Sequence, residues 1–211
     1  MRSPALLALL VLLAAAPAGD APLYSNDFAK MEPGNLPEDQ FLALAGEFAV
    51  KDVDGDRVVE LAGTPLNSYG LLFGPTPDAP TGTVGARIWG ATTGRRFPEF
   101  GVGSNDAGGY KLWLMPRQRK VAIRKGDDTL ATAPYEKWAT GTWTHFRLQV
   151  AKVGDAAWVV RGKLWPAGSD EPKDWLITVD EKTEPPAGRA SVWGNPYSGQ
   201  PIRFDDLRVE R

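Results

Sequence analysis

The sequence predicts an all-β protein built as a sandwich of two antiparallel sheets. Glycine and proline supply 23 and 18 of its 211 residues, and such a density of turn formers leaves little room for long helices. Apolar and aromatic residues recur in about fourteen short stretches, each closed by Gly, Pro, Asn or Asp. No window of about twelve residues keeps a helical period free of Gly and Pro. A chain of this length and pattern is expected to form a single domain.

The first 18 residues predict an export signal. Met1 and Arg2 give a positive start, residues 5–16 are apolar without interruption, and Ala16 and Ala18 form a small-residue cleavage site before Gly19. The apolar run is shorter than the roughly 20 residues that a membrane-spanning helix needs. We therefore expect a secreted or periplasmic domain comprising residues 19–211.

Fourteen strands are predicted along the chain after the export signal. They span residues 23–28, 47–53, 56–62, 69–73, 82–91, 98–104, 110–115, 119–125, 128–133, 142–152, 156–166, 174–180, 188–193 and 201–210. Gly and Asp stand at the junctions 53–56, 125–127 and 153–155, where hairpin turns require positive φ. Strands that follow one another are therefore expected to pair antiparallel.

Alternation within the strands predicts which side chains face the core. On strand 142–152, Thr144, Phe146, Leu148 and Val150 are assigned to the core, and Trp143 to the opposite, polar face. The same rule gives a polar face with tryptophans on several other strands. Six side chains of that face are expected to form one continuous patch: Arg87, Trp89, Glu99, Lys111, Trp113 and Arg124.

Composition excludes several classes of function. The 24 basic and 26 acidic residues give a net charge of −2, so no broad basic surface is expected for nucleic acid or an anionic membrane. Without cysteine the chain has no disulfide, and with a single histidine, His145, it cannot build a His/Cys metal cluster. A serine hydrolase is also disfavoured, because the chain lacks a Gly-x-Ser-x-Gly elbow.

The C-terminal half resembles a known group of sandwich domains. The similarity rests on residues 141–150, 162–165 and 171–172, on Trp175 and Gly188, and on residues 204–209. These segments resemble the concanavalin A-like lectin/glucanase superfamily, and are closest in style to the laminin-G-like and DUF1080-like domains of secreted bacterial proteins. The resemblance implies a jelly roll whose concave face binds or cleaves glycans in many members.

Two opposed functions follow from the resemblance. Glucanases of this superfamily carry a Glu-x-Asp-x-x-Glu set of carboxylates, and this sequence lacks it. The leading hypothesis is therefore a non-catalytic module that binds a glycan or polysaccharide on its outward tryptophans. The alternative enzyme is a DUF1080-like hydrolase or lyase acting on keto-sugars. In it, Glu99, Arg87, Lys111 and Arg124 would stabilise an enolate-like anion. A structural interaction domain is the third hypothesis.

Aspartates near both ends of the domain are candidates for a metal site. Asp27 lies in the first predicted strand, and Asp205 and Asp206 lie in the last. The first and last strands often pair in this superfamily, which would gather oxygen ligands suited to a structural Ca²⁺ ion. Alternatively, these aspartates cap turns and keep strand edges soluble. A plain hairpin turn is favoured for Asp52, Asp54 and Asp56, whose spacing does not match a calcium loop.

Overall fold

A computed structural model describes residues 21–63 and 67–211 of the chain. The predicted export signal, residues 1–18, lies outside the described residues. Within them no helix is long and apolar enough to cross a membrane.

The described residues form sixteen strands and one short 3-10 turn. The strands are β1 (Tyr24–Asn26), β2 (Gly34–Asn35), β3 (Phe41–Ala43), β4 (Phe48–Val53), β5 (Asp56–Leu61), β6 (Tyr69–Phe73), β7 (Gly82–Gly90), β8 (Glu99–Ser104), β9 (Tyr110–Met115), β10 (Lys120–Lys125), β11 (Asp128–Pro134), β12 (Thr142–Gly154), β13 (Ala157–Pro166), β14 (Ile177–Glu181), β15 (Ala190–Asn195) and β16 (Ile202–Glu210). The 3-10 turn, Pro116–Gln118, joins β9 to β10.

The strands form two antiparallel sheets, which confirms the predicted fold class. The nine-stranded sheet has the order β14-β13-β12-β7-β16-β5-β4-β2, with β1 pairing β16. The seven-stranded sheet has the order β11-β10-β9-β8-β15-β6-β3. Neighbours in the sheets are often distant in sequence, as β7 and β16 are, which is the connectivity of a jelly roll.

The core between the sheets contains the residues that alternation assigned to it. Phe146, Leu148 and Val150 from β12 pack with Leu112 and Leu114 from β9, and all five are buried. Burying such side chains stabilises the fold by about 1.5–3 kcal/mol each. The strand faces are therefore predicted correctly.

The predicted hairpin between β4 and β5 is confirmed. Asp54 and Gly55 have φ values of 56° and 86°, and the Asp52 carboxylate accepts a hydrogen bond from the Gly55 N–H at 3.0 Å. The motif is thus a turn stabilised by its own aspartate.

The first and last strands pair as predicted. Strand β16 changes neighbour along its length, because Phe204 lies opposite β5 whereas Leu207 lies opposite β1. A β-bulge between Asp205 and Arg208 makes this change possible, and Asp206 adopts a φ of 51° there.

Candidate functional site

The six residues predicted to form one patch lie on two different sheets. Arg87 and Trp89 belong to β7 in the nine-stranded sheet, whereas Glu99 belongs to β8 in the seven-stranded sheet. Lys111, Trp113 and Arg124 lie beside Glu99 on β9 and β10. The prediction of a continuous patch is therefore wrong. Residues 91–98 carry the chain from one sheet to the other, which alternation within each strand cannot reveal.

The outward tryptophans of the nine-stranded sheet are covered by cationic or imidazole side chains. The guanidinium carbon of Arg203 lies 4.5 Å from the ring centroid of Trp89, and that of Arg87 lies 4.7 Å from Trp143. His145 stacks on Trp165 with ring centroids 5.3 Å apart. The two arginine contacts each contribute about 0.5–1 kcal/mol at exposed sites, and all three contacts occupy a ring face that a sugar would need.

Arg87 is held by carboxylates on the same face. Its guanidinium donates hydrogen bonds to the carboxylate of Asp205, a residue that is only 1 % exposed. It also forms salt bridges with Asp56 at 2.7 Å and Asp206 at 3.0 Å. Burial raises the pKa of Asp205 to about 6, although hydrogen bonds from the Asp206 N–H and Arg87 act in the opposite direction.

The predicted calcium ligands do not fit a calcium ion. Asp205 and Asp206 already share the Arg87 guanidinium, which supplies the positive charge that Ca²⁺ would bring. Asp27 accepts a hydrogen bond from the Ala29 N–H at 3.1 Å and so caps the turn after β1. Residues 21–63 and 67–211 contain no group of three His, Cys, Asp or Glu side chains placed to hold a metal.

Trp113, on the outer face of the seven-stranded sheet, is buried, contrary to the prediction that it faces water. Trp113 is 2 % exposed and Trp193 is 8 % exposed, and both belong to a cluster with Met115 and Ala122. Large and small residues alternate across this face from strand to strand. Gly101 lies opposite Trp113 on one side and opposite Trp193 on the other, and so separates the two indoles. Beyond them, a Cβ atom on Gly70 would lie 2.7 Å from the Trp193 ring, so only glycine leaves room for the indole.

Lys111 and Arg124 do not form an open binding surface. The Lys111 ammonium lies 4.2 Å from the Trp193 ring centroid and donates to the Ala107 carbonyl at 2.8 Å. Burial lowers the pKa of Lys111. The Arg124 Nε is buried without a hydrogen-bond partner among the described residues.

Glu99, one of the six residues predicted to bind carbohydrate, lines a cleft. Its carboxylate accepts a hydrogen bond from the Trp113 Nε1 at 3.1 Å. The cleft has a volume of about 400 Å³ and is lined by Arg95, Arg96, Phe97, Glu99, Arg117, Gln118 and Tyr197.

A second cleft continues the first. It has a volume of about 530 Å³ and is lined by Phe97, Pro116, Arg117, Arg119, Tyr135, Glu136 and Trp138. Because Phe97 and Arg117 line both clefts, the two form one continuous depression, here called the end groove. Each half has the size of an ordinary small-molecule site.

Four connections between strands build the end groove at one end of the sandwich. Residues 91–98 form a tight hairpin closed by reciprocal backbone hydrogen bonds of 3.0 and 3.1 Å between Thr93 and Arg96. The 3-10 turn supplies Arg117, residues 135–138 supply Tyr135 and Trp138, and the segment after β15 supplies Tyr197. The Tyr135 N–H donates to the Arg119 carbonyl at 2.8 Å, which fixes two of these connections together.

The end groove contains polar groups without partners. The buried Tyr135 Oη and Trp138 Nε1 have no hydrogen-bond partner in the described part of the chain. A buried donor left unsatisfied costs about 1–3 kcal/mol, so such groups are expected where a ligand or water completes the bonding. Burial raises the pKa of Tyr135 to about 12, and its hydroxyl therefore remains a donor at neutral pH.

Trp138 differs from the other tryptophans of the chain. All eight lie within the described residues, and six have a cation or imidazole over the ring while Trp113 is buried. Trp138 is half-buried and packs its ring against Phe97 and Phe100, with centroids 6.5 and 6.4 Å apart.

The sequence analysis missed every residue of the end groove except Glu99. Arg95, Arg96, Tyr135, Trp138 and Tyr197 lie in connections, where strand alternation makes no prediction. The adjacent pair Arg95-Arg96, next to the aromatic Phe97, was the one local signal that could have drawn attention to this loop.

Comparison with solved structures identifies the fold. The metal-free carbohydrate recognition domain of Emp46p superposes with a TM-score of 0.61 at 11% identity, covering 89% of this chain and 96% of that one. The exoplasmic/lumenal domain of VIP36, in its Ca²⁺/Man3GlcNAc-bound form, gives 0.52 at 7% identity and covers 83% and 86%. The fold is a concanavalin A-like sandwich.

The concanavalin A-like sandwich also occurs in an enzyme among the similar structures. The Crh5 transglycosylase in complex with NAG has a TM-score of 0.55 at 14% identity, covering 89% of this chain and 83% of that one. No protein-family model and no curated sequence matches this chain. Sequence identities this low establish the fold alone.

Proposed function

We propose that the chain is an exported carbohydrate-recognition domain that binds a glycan in the end groove. The single observation that carries this proposal is Trp138, a half-buried tryptophan that lines the end groove and whose ring has no cation over it among the described residues. An aromatic ring at the wall of a groove matches a sugar, which presents a face of C–H groups.

The other groups of the end groove support the same ligand class. Phe97 and Tyr197 add aromatic surface, and the Gln118 amide adds hydrogen-bonding groups. Glu99 offers carboxylate oxygens to sugar hydroxyls, and Trp113 positions that carboxylate from the buried side. The similar solved structures named as carbohydrate recognition domains are consistent with this proposal.

The other sequence-predicted ligands are placed outside the proposed site. Arg87 and Trp89 lie on the opposite sheet and already contact Asp205 and Arg203, respectively. Their role in binding glycans stays a prediction, and substitution of Trp89 tests it directly.

Sugar-bond cleavage or transfer is the second candidate function, because one similar structure is a transglycosylase and Glu99 lies in the end groove. Glycosidases act with two carboxylates on one substrate, whereas here Glu99 lines one half of the groove and Glu136, in the other half, pairs with Arg119 at 3.9 Å. The keto-sugar constellation is not assembled, since Arg87 lies on the other sheet. A catalytic role predicts that Glu99→Gln abolishes turnover and leaves binding intact.

The experiment is a glycan array probed with residues 19–211, either unaltered or carrying Trp138→Ala. We expect the substitution to abolish binding to the glycans that the unaltered domain retains. Trp89→Ala is the matched control, because Trp89 is also half-buried and lies outside the end groove.

Three outcomes of the array count against this proposal. Loss of binding with Trp89→Ala alone would return the site to the nine-stranded sheet. Turnover of a bound glycan would favour the enzyme. Absence of any glycan ligand would favour the structural interaction domain.

Export is part of the proposal and rests on residues 1–18. N-terminal sequencing of protein recovered outside the cytoplasm should give a chain that begins near Gly19. Recovery of a chain that retains Met1 would contradict export with cleavage.

A further inference from the structure

The charge of the end groove points to a more specific ligand. Its lining contains four arginines, Arg95, Arg96, Arg117 and Arg119, against the two acids Glu99 and Glu136. Arg119 and Glu136 pair with each other at 3.9 Å. Three arginines and one carboxylate remain, so the end groove is positive although the chain as a whole carries a charge of −2.

The side chains of the three remaining arginines form no polar contact within the part of the chain that the structure describes. Within residues 21–63 and 67–211, the side chains of Arg95, Arg96 and Arg117 take part in no salt bridge and no hydrogen bond, unlike Arg87, Arg147 and Arg203. They are exposed residues on two different connections that meet at one cleft. Gathering like charges without a partner is unfavourable, and an anion placed between them relieves the repulsion.

We propose that the glycan bound in the end groove is acidic, with a carboxylate or sulfate group held by Arg95, Arg96 and Arg117. A planar guanidinium donates two parallel hydrogen bonds to either group, which a neutral hydroxyl cannot accept in that geometry. The sugar ring lies against the exposed parts of Trp138 and Phe97, which line the end groove. This inference rests on the proposed glycan binding and specifies its ligand.

Nucleic acid also offers anionic groups but fits the molecule less well. Phosphodiester chains need a basic track that extends over many phosphates. Here Arg95, Arg96 and Arg117 line one cleft of about 400 Å³. A single charged sugar within a polysaccharide matches that extent.

The test compares charged polymers with neutral polymers of the same backbone by affinity gel electrophoresis. Polygalacturonate is paired with its methyl ester, and dextran sulfate with dextran, so each pair shares a sugar backbone and differs in charge, and the two charged members separate carboxylate from sulfate. We expect retardation by at least one charged polymer and by neither neutral partner. Replacing Arg95, Arg96 or Arg117 by Gln should weaken that binding about tenfold, whereas Arg96→Lys should retain part of it.

Arg57→Gln is the matched control for net charge. Arg57 lies on β5 outside the end groove, pairs with Asp52 at 2.6 Å, and its substitution should leave binding unchanged. Equal weakening by Arg57→Gln and the groove variants would overturn the inference, because binding would then follow net charge alone. Binding of single-stranded DNA as tight as that of the charged polymers would overturn it as well.

The remaining outcomes separate the two proposals. If the neutral polymers bind as tightly as the charged ones and Trp138→Ala abolishes both, the acidic ligand is wrong and glycan recognition stands. If no polymer binds and the array also finds no ligand, both proposals fall. Melting temperatures of all variants confirm that the exposed substitutions leave the fold intact.

Discussion

The indole nitrogen of Trp113 donates a hydrogen bond to the carboxylate of Glu99 at 3.1 Å. This contact joins the buried outer face of the seven-stranded sheet to the wall of the end groove. Trp113 therefore acts on the groove through Glu99 and is itself inaccessible to a ligand. Stability and binding should depend on different tryptophans for this reason.

The first prediction concerns stability. Trp113→Ala should lower the free energy of unfolding by about 3–5 kcal/mol, because it empties a buried site and leaves Glu99 without its donor. Trp138→Ala should cost less, since Trp138 is only half-buried. Urea denaturation monitored by circular dichroism measures both. Equal losses in the two variants would contradict this assignment of burial.

The second prediction concerns metal. Melting temperatures measured in EDTA and in millimolar calcium should coincide, because Arg87 already neutralises Asp205 and Asp206. Asp205→Ala should lower the unfolding free energy by about 1–3 kcal/mol in either buffer, by removing the buried partner of Arg87. Stabilisation by calcium that disappears in Asp205→Ala would restore the calcium site.

The third prediction concerns pH. The pKa of Asp205 is raised to about 6 by burial, so between about pH 4 and 6 the folded protein holds a proton that the unfolded chain has lost. The stability that this bound proton contributes is therefore complete below about pH 4 and is lost as the pH rises through 6. Relative to Asp205→Asn, the unaltered protein should lose stability over this interval.

His145 titrates with the opposite sign. Burial lowers its pKa, so its protonation at acid pH favours unfolding. The charged groups that act on His145 are Asp206, Arg87 and Glu171, all present in both proteins. Its effect should cancel in the difference between the unaltered protein and Asp205→Asn. A difference in unfolding free energy that does not change between pH 4 and 7 would contradict the raised pKa.

Strand positions and strand faces could be predicted because they depend on local alternation. Val121 and Ile123 were assigned to the core and are buried there. Strands β2 and β3 were missed, since two and three residues are too few to establish a period of two.

The site was much less predictable than the fold. Alternation predicted that Trp113 faces outward from the core, but its burial depends on Trp193 from a strand that is distant in sequence. Likewise, Arg95, Arg117, Trp138 and Tyr197 converge only because four connections end at the same edge of the sandwich. No local pattern encodes such a convergence.

Nuclear magnetic resonance of the tryptophan side chains tests the central claim most directly. A ¹H–¹⁵N spectrum of residues 19–211 should contain eight indole N–H signals, one for each tryptophan. The Trp138 signal is assigned from its loss in Trp138→Phe. On titration with a glycan identified by the array, the account predicts that the Trp138 signal shifts most, since its ring lines the end groove. A shift confined to Trp89 or Trp143, with Trp138 unmoved, would contradict binding in the end groove.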